Sequence, residues 1–117
     1  MAKPGKVESL AILLIISGLL NILGGGILAL LIIIGTVGIG LLCAPVLVLP
    51  MLLGVAEIVH GVNMMAEPPR VKEPSQAIAI LEICSILFGN VFAVIVGVIN
   101  LVFSNDQEVK AYFASLK

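Results

Sequence analysis

Charge is scarce in this chain. Only 11% of its 117 residues are charged, against roughly a quarter in a soluble globular domain. From Ser9 to Ala56 no Asp, Glu, Lys or Arg occurs. A domain this small must cover its surface with polar groups, so an ordinary soluble domain is excluded. Six basic residues against seven acidic ones give a net charge of −1. With no basic patch, nucleic-acid binding is excluded too. Arginine is almost missing, Arg70 being the single one. No Gly-rich loop follows a strand pattern, and neither a Ser-His-Asp set nor Gly-x-Ser-x-Gly occurs, so nucleotide and hydrolase fingerprints are lacking. Cys43 and Cys84 form no Cys-x-x-Cys and sit in apolar stretches. They read as small buried thiols. The chain is not expected to be an enzyme, and no cofactor or metal is expected.

What is abundant is apolar. Hydrophobic residues make up 61% of the chain and the mean hydropathy is +1.28. The fold class this implies is an all-α integral membrane bundle, one domain over 1–117, with the lipid bilayer as its first partner. A membrane-crossing helix needs about 20 apolar residues. Three stretches qualify, at about 7–34, 41–66 and 75–103, and all are longer than one perpendicular crossing needs. The first is too long for the apolar core of a cleaved signal peptide. Breaks have candidates in Gly24-Gly25-Gly26, in the apolar turn Gly35–Gly40, at Pro45 and Pro50, and at Gly89-Asn90. Glu67 to Pro74 is the one polar linker, and Ser75 after it suits a helix N-cap. In the tail, 105–117, Asn105 and Glu108 resemble a capping pattern. Val109, Tyr112, Phe113 and Leu116 fall on one face of a short amphipathic helix, which would lie in the membrane interface or dock on a bundle.

Two topologies are open. Three spans put Lys3, Lys6, Arg70 and Lys72 on one side and Lys110 and Lys117 on the other, which makes the N-terminus cytoplasmic. If the third stretch folds back at Gly89-Asn90, all six basic residues share the cytoplasmic side. That re-entrant form needs its broken backbone covered by protein.

A short pattern recurs: a small residue, a polar residue three positions on, an aliphatic one next, and a small residue at the seventh. It appears as Gly18, Asn21, Ile22, Gly25, as Gly54, Glu57, Ile58, Gly61, and as Gly97, Asn100, Leu101, Ser104. Ala79, Glu82, Ile83 is a partial copy, with Ile86 in the last place. These offsets share one helix face. Each copy is therefore a groove for close helix packing with a polar group at its middle.

Glu57, His60 and Glu82 are the costly residues, because ionisable groups inside a bilayer normally face the bundle interior. Antiparallel helices joined by the linker would place all three at similar depth. Three readings are open. They form a hydrogen-bonded cluster fixing helix register, or a site for protons or small cations, or, by the Glu57-x-x-His60 spacing with Glu82, a carboxylate metal site. The last rests on two residues at a spacing that chance supplies easily.

The segment from Gln76 to Phe113 resembles the C-terminal signature of a family of small bacterial multi-spanning membrane proteins. The matching runs are Ala79–Ile83 (AILEI), Gly97–Phe103 and Asn105–Phe113, with Gln107 where the family has proline. The resemblance implies a bacterial inner-membrane setting and assigns no activity. The function expected is that of a structural or accessory membrane protein, a homo-oligomer or a subunit of a larger complex. The alternative is a small oligomeric channel or proton-coupled transporter using Glu57, His60 and Glu82.

Overall fold

The computed structural model describes all residues, 1–117, and is α-helical throughout, without a strand. Helix α1 (Gly5–Gly35) runs unbroken for 31 residues, about 46 Å at 1.5 Å per residue. The triple glycine does not interrupt it. A helical glycine costs only about 1 kcal/mol against alanine, and Gly25 is the point where Met51 and Pro50 come closest.

The chain reverses at Thr36–Gly38, where Gly38 has φ +90°. It returns through a 3₁₀ turn (Ile39–Cys43), α2 (Ala44–Leu47) and α3 (Leu49–Met65). Pro45 and Pro50 each lie in the first turn of a helix, where a missing N–H breaks no bond. They segment the second stretch without disrupting a ladder.

The third stretch departs from the expectation of three long helices. Helix α4 (Gln76–Cys84) tightens into a 3₁₀ turn, Ser85–Phe88, and stops at Gly89, whose φ is +73°. The Asn90 side chain then accepts a hydrogen bond from the Ala93 N–H at 3.0 Å and starts α5 (Val91–Ser104). Helix α5 runs back along α4: Gly97 lies against the Ala79 carbonyl, and the Asn100 amide donates to the Ser75 carbonyl at 3.2 Å. The expected N-cap Ser75 is in place, accepting from the Ile78 N–H at 3.2 Å. Each limb of this hairpin is about 20 Å long at 1.5 Å per residue, short of the roughly 30 Å hydrocarbon core. Two helices, Gly5–Gly35 and Ile39–Met65, are long and apolar enough to cross a membrane. A third counts only if α5 and α6 (Gln107–Ser115), bent by 68°, form a single span.

The tail docks on its own bundle. Val109, Tyr112 and Phe113 are buried with Val7, Leu10, Ala11, Leu14 and Met64. The apolar face expected in the membrane interface is thus covered by protein, and only Leu116 stays out, 42% exposed. The N-cap is Asp106, which accepts from the N–H groups of Glu108 and Val109, while Asn105 donates back to the Leu101 carbonyl. Lys6 contacts Asp106 at 2.6 Å and Glu108 at 3.5 Å, and Lys3 donates to the carbonyls of Met65 and Ala66. The N-terminus, the linker and the tail therefore share one end of a molecule 56 Å long. The opposite end is the apolar turn.

The Lys6 ammonium, hydrogen-bonded to Asp106, holds that carboxyl below its usual value. A lowered folded-state pKa stabilises docking fully above the unfolded value, about 4, and loses that contribution as pH falls through the folded value. Protection of the α6 amides in hydrogen exchange is expected to fall on acidification below about pH 4. Asp106→Asn should show the same loss at neutral pH. Equal protection of the variant at pH 7 would rule out the latch.

A buried polar centre as candidate functional site

The site is built on two helix seams of the same design. In the first, α1 packs on α3 backbone to backbone. A Cβ added at Gly18 would lie 2.5 Å from the Gly54 carbonyl, and one at Gly54 would lie 2.5 Å from the Gly18 carbonyl. Gly61 sits similarly close to the Ala11 carbonyl. In the second seam, a Cβ at Gly97 would meet the Ala79 carbonyl at 2.7 Å, Glu82 Cβ at 2.9 Å and Ile83 Cγ1 at 3.0 Å. Gly54 meets the corresponding atoms of α1: the Gly18 carbonyl, Asn21 Cβ and Ile22 Cγ1. The first two copies of the repeated pattern pack on each other, and so do the third and the partial one. Ala79 holds the place of a glycine in the second seam, where its carbonyl meets Gly97.

Each seam carries one carboxyl and one carboxamide at its middle. In the first, Glu57 is fully buried. Its Oε1 accepts from the Ser17 hydroxyl at 3.0 Å and its Oε2 from the Asn21 amide at 2.8 Å. The Asn21 carbonyl oxygen accepts in turn from the Asn90 amide at 2.6 Å. A relay Asn90–Asn21–Glu57 thus ties the tip of the short hairpin to the long one. In the second seam, Glu82 is fully buried beside Asn100. Asn100 is occupied by Ser75 and by the Ser104 hydroxyl, which bonds its Oδ1 at 3.1 Å and its backbone carbonyl at 2.6 Å. Both Glu82 oxygens are without a hydrogen-bond partner. Glu57 faces Glu82 across the two seams, with Ser17 alongside.

The expected trio therefore divides. Glu57 and Glu82 meet; His60 does not join them. Its Nε2 accepts from the Ser75 N–H at 3.1 Å, which places the ring proton on Nδ1. His60 anchors the start of α4, one turn nearer the linker. No three His, Cys, Asp or Glu side chains converge as metal ligands, so the Glu57-x-x-His60 arrangement with Glu82 is not formed. Asn21, Asn100, Gly18, Gly25, Gly54, Gly61 and Gly97 lie in the two seams, whereas the Ser104 hydroxyl bonds back to Asn100 within α5. Ser17 and Asn90 are the members that sequence reasoning missed. Ser17 lies one turn before Asn21 on the same face, a visible signal. Asn90 was legible only as a break.

Two hollows flank the centre. A recess of about 340 Å³ at the hairpin tip is lined by Leu20, Asn21, Gly24, Gly25, Leu28 and Asn90, among others. An apolar groove of about 560 Å³ lies between α3 and α4, along Leu49, Leu53, Ala56, Leu81 and Phe88. Cys43 and Cys84, expected to be buried, are free and exposed on the outer surface. In a membrane bundle the apolar faces point outward, so apolar surroundings in sequence do not mean burial. The chain matches no family model, no curated protein and no solved structure.

Proposed function

We propose that this chain is a non-enzymatic structural or accessory membrane protein that assembles through its small-residue faces, as a homo-oligomer or within a larger membrane complex. The setting is a bacterial inner membrane with the N-terminus cytoplasmic. Support for the orientation is the gathering of the N-terminal lysines, the linker and the tail at one end, since basic residues stay cytoplasmic.

The observation that carries the reading is the turn at Gly89. Asn90 bonds Asn21, about 24 Å along α1 from its start at 1.5 Å per residue, so the turn lies deep in the apolar zone. Gly89 is nonetheless exposed. Non-helical backbone at such depth is tolerated only against protein or a water-filled cavity. Beside it, Gly24 is exposed and a Cβ there would have nothing within 4 Å, an open small-residue surface on which another helix can approach closely. A neighbouring chain on this surface covers the turn.

Native mass spectrometry of gently extracted protein tests this, with Gly24→Leu as the variant. The wild type is expected in a complex larger than one chain. The variant should shift to single chains while keeping wild-type helicity, because a Cβ at Gly24 would meet nothing of the chain within 4 Å. A wild-type monomer overturns the reading. A closed homo-oligomer without companions favours a second reading, a small channel or proton-coupled transporter. Its support is the relay Asn90–Asn21–Glu57, which connects the recess to the buried carboxyls.

A further inference from the structure

We infer that Glu57 and Glu82 form a proton-binding site that holds one proton between two carboxyls, with Glu82 donating its O–H to the Glu57 carboxylate. Such a site does not depend on how the chain assembles. Glu82 is fully buried, and neither of its oxygens has a hydrogen-bond partner. Native interiors do not leave a charged carboxylate in that condition.

The polar groups packed around it each bond elsewhere. From α1, Ser17 and Asn21 donate to Glu57. From α5, Asn100 is bonded to Ser75 and Ser104. From α3, His60 is bonded to the Ser75 N–H. The lysines that form ion pairs, Lys3 and Lys6, do so at the linker end with Glu67, Asp106 and Glu108, and neither buried carboxyl has a basic partner. What faces Glu82 is Glu57, whose two oxygens already accept one bond each from neutral donors.

Two adjacent carboxylates without a counter-charge are excluded from a dry interior, both by desolvation and by mutual repulsion. A cation or a proton can relieve them. Neither carboxyl lines the recess at the hairpin tip, the α3–α4 groove or the two hollows at the linker end, and Gly97 is pressed against Glu82 Cβ. The site therefore lacks the volume for a cation and the waters it would keep. A proton needs no volume. It supplies Glu82 with the missing hydrogen bond and leaves Glu57 one negative charge, stabilised by three donors: Ser17, Asn21 and Glu82.

The proton is then the link between the two hairpins. The bond it makes joins α3 to α4 at mid-depth, where no other polar contact between those two helices occurs. Its removal to water would leave two carboxylates face to face and drive the hairpins apart.

Infrared spectroscopy of protein carrying ¹³C-carboxyl glutamate, in lipid at pH 7.5, tests the site. The other four glutamates, Glu8, Glu67, Glu73 and Glu108, are exposed, so Glu57 and Glu82 are the two shut away from water. One protonated glutamate per chain is expected, with a carbonyl band that shifts in D₂O. Glu82→Gln should abolish the band and keep the fold, because the Gln amide donates to Glu57 in place of the acid. A wild-type count of zero or of two protonated glutamates overturns the inference, whether or not the variant folds. So does a band that survives in folded Glu82→Gln.

Discussion

Gly54→Ala is expected to lower stability by roughly 3 kcal/mol, the upper end for overpacking a tight interior. Gly54→Leu should prevent accumulation of folded protein. The new Cβ of the alanine lands 2.5 Å from the Gly18 carbonyl, with Ile22 at 2.9 Å and Asn21 Cβ at 3.1 Å behind it. A side-chain tip can move aside, but a helix carbonyl cannot move without its helix. The seam must widen along its length, and widening also stretches the 2.8 Å bond from Asn21 to Glu57. Gly18→Ala, the reciprocal change, should cost about as much, since the contact is symmetric. Gly24→Ala is the control. It meets nothing within 4 Å, so the only effect on the single chain is a helix-propensity gain of up to about 1 kcal/mol. Denaturant or SDS titration in mild detergent, monitored by helicity, measures all three. Equal midpoints for Gly54→Ala and Gly24→Ala would remove the seam from the account of this fold.

The second large effect is at Glu57. Glu57→Leu is expected to cost about 2–4 kcal/mol, because it strands the Ser17 hydroxyl and the Asn21 amide in a dry interior, each at the price of an unmade buried bond. It also leaves Glu82 facing hydrocarbon. The damage should extend beyond the seam. Asn21 is the acceptor for Asn90, and an Asn21 side chain released from Glu57 no longer holds the hairpin tip in one place. Hydrogen exchange in α5 is therefore expected to rise more than in α1. Glu57→Gln should be much milder, since its amide oxygen still accepts from one of the two donors. A Leu variant as stable as wild type would mean that the carboxyl contributes nothing net to the bundle.

Different features of the fold were legible in the sequence to different degrees, according to the physical signal each one needs. Membrane residence required only composition, and two of the apolar stretches became helices long enough to span. The groove pattern was legible as a helix face, but the pairing of its copies was not, because a face does not name its partner. Glycine was ambiguous in a specific way. Gly24-Gly25-Gly26 continues a helix and Gly89 ends one, and the difference lies in the next residues along the chain. Ile27 and Leu28 extend the ladder, whereas Asn90 caps a new one. Antiparallel geometry across a short linker fixes height, and Glu57 and Glu82 do meet. It does not fix rotation about the helix axis. His60, expected at the same depth, therefore points elsewhere, to the Ser75 N–H. The exposed cysteines and the docked tail share one cause. With lipid as solvent, hydrophobicity no longer separates inside from outside, so Cys43 and Cys84 face outward while Tyr112 and Phe113 are covered.

The uncharged turn between α1 and the 3₁₀ segment bears on how the chain enters a bilayer. Between Glu8 and Glu57 the only polar side chains are those of Ser9, Ser17, Asn21 and Thr36, and Thr36 at the turn satisfies its own hydroxyl on the Ile32 carbonyl at 2.7 Å. Passing this tip through hydrocarbon dehydrates no charge, and the second hairpin, with Gly89 and Asn90 at its apex, stops short of the far surface. Neither insertion exports a hydrophilic loop. With α1 and α3 free to enter together as one closed pair, the energetic barrier to reaching this topology is set by helix pairing rather than by translocation.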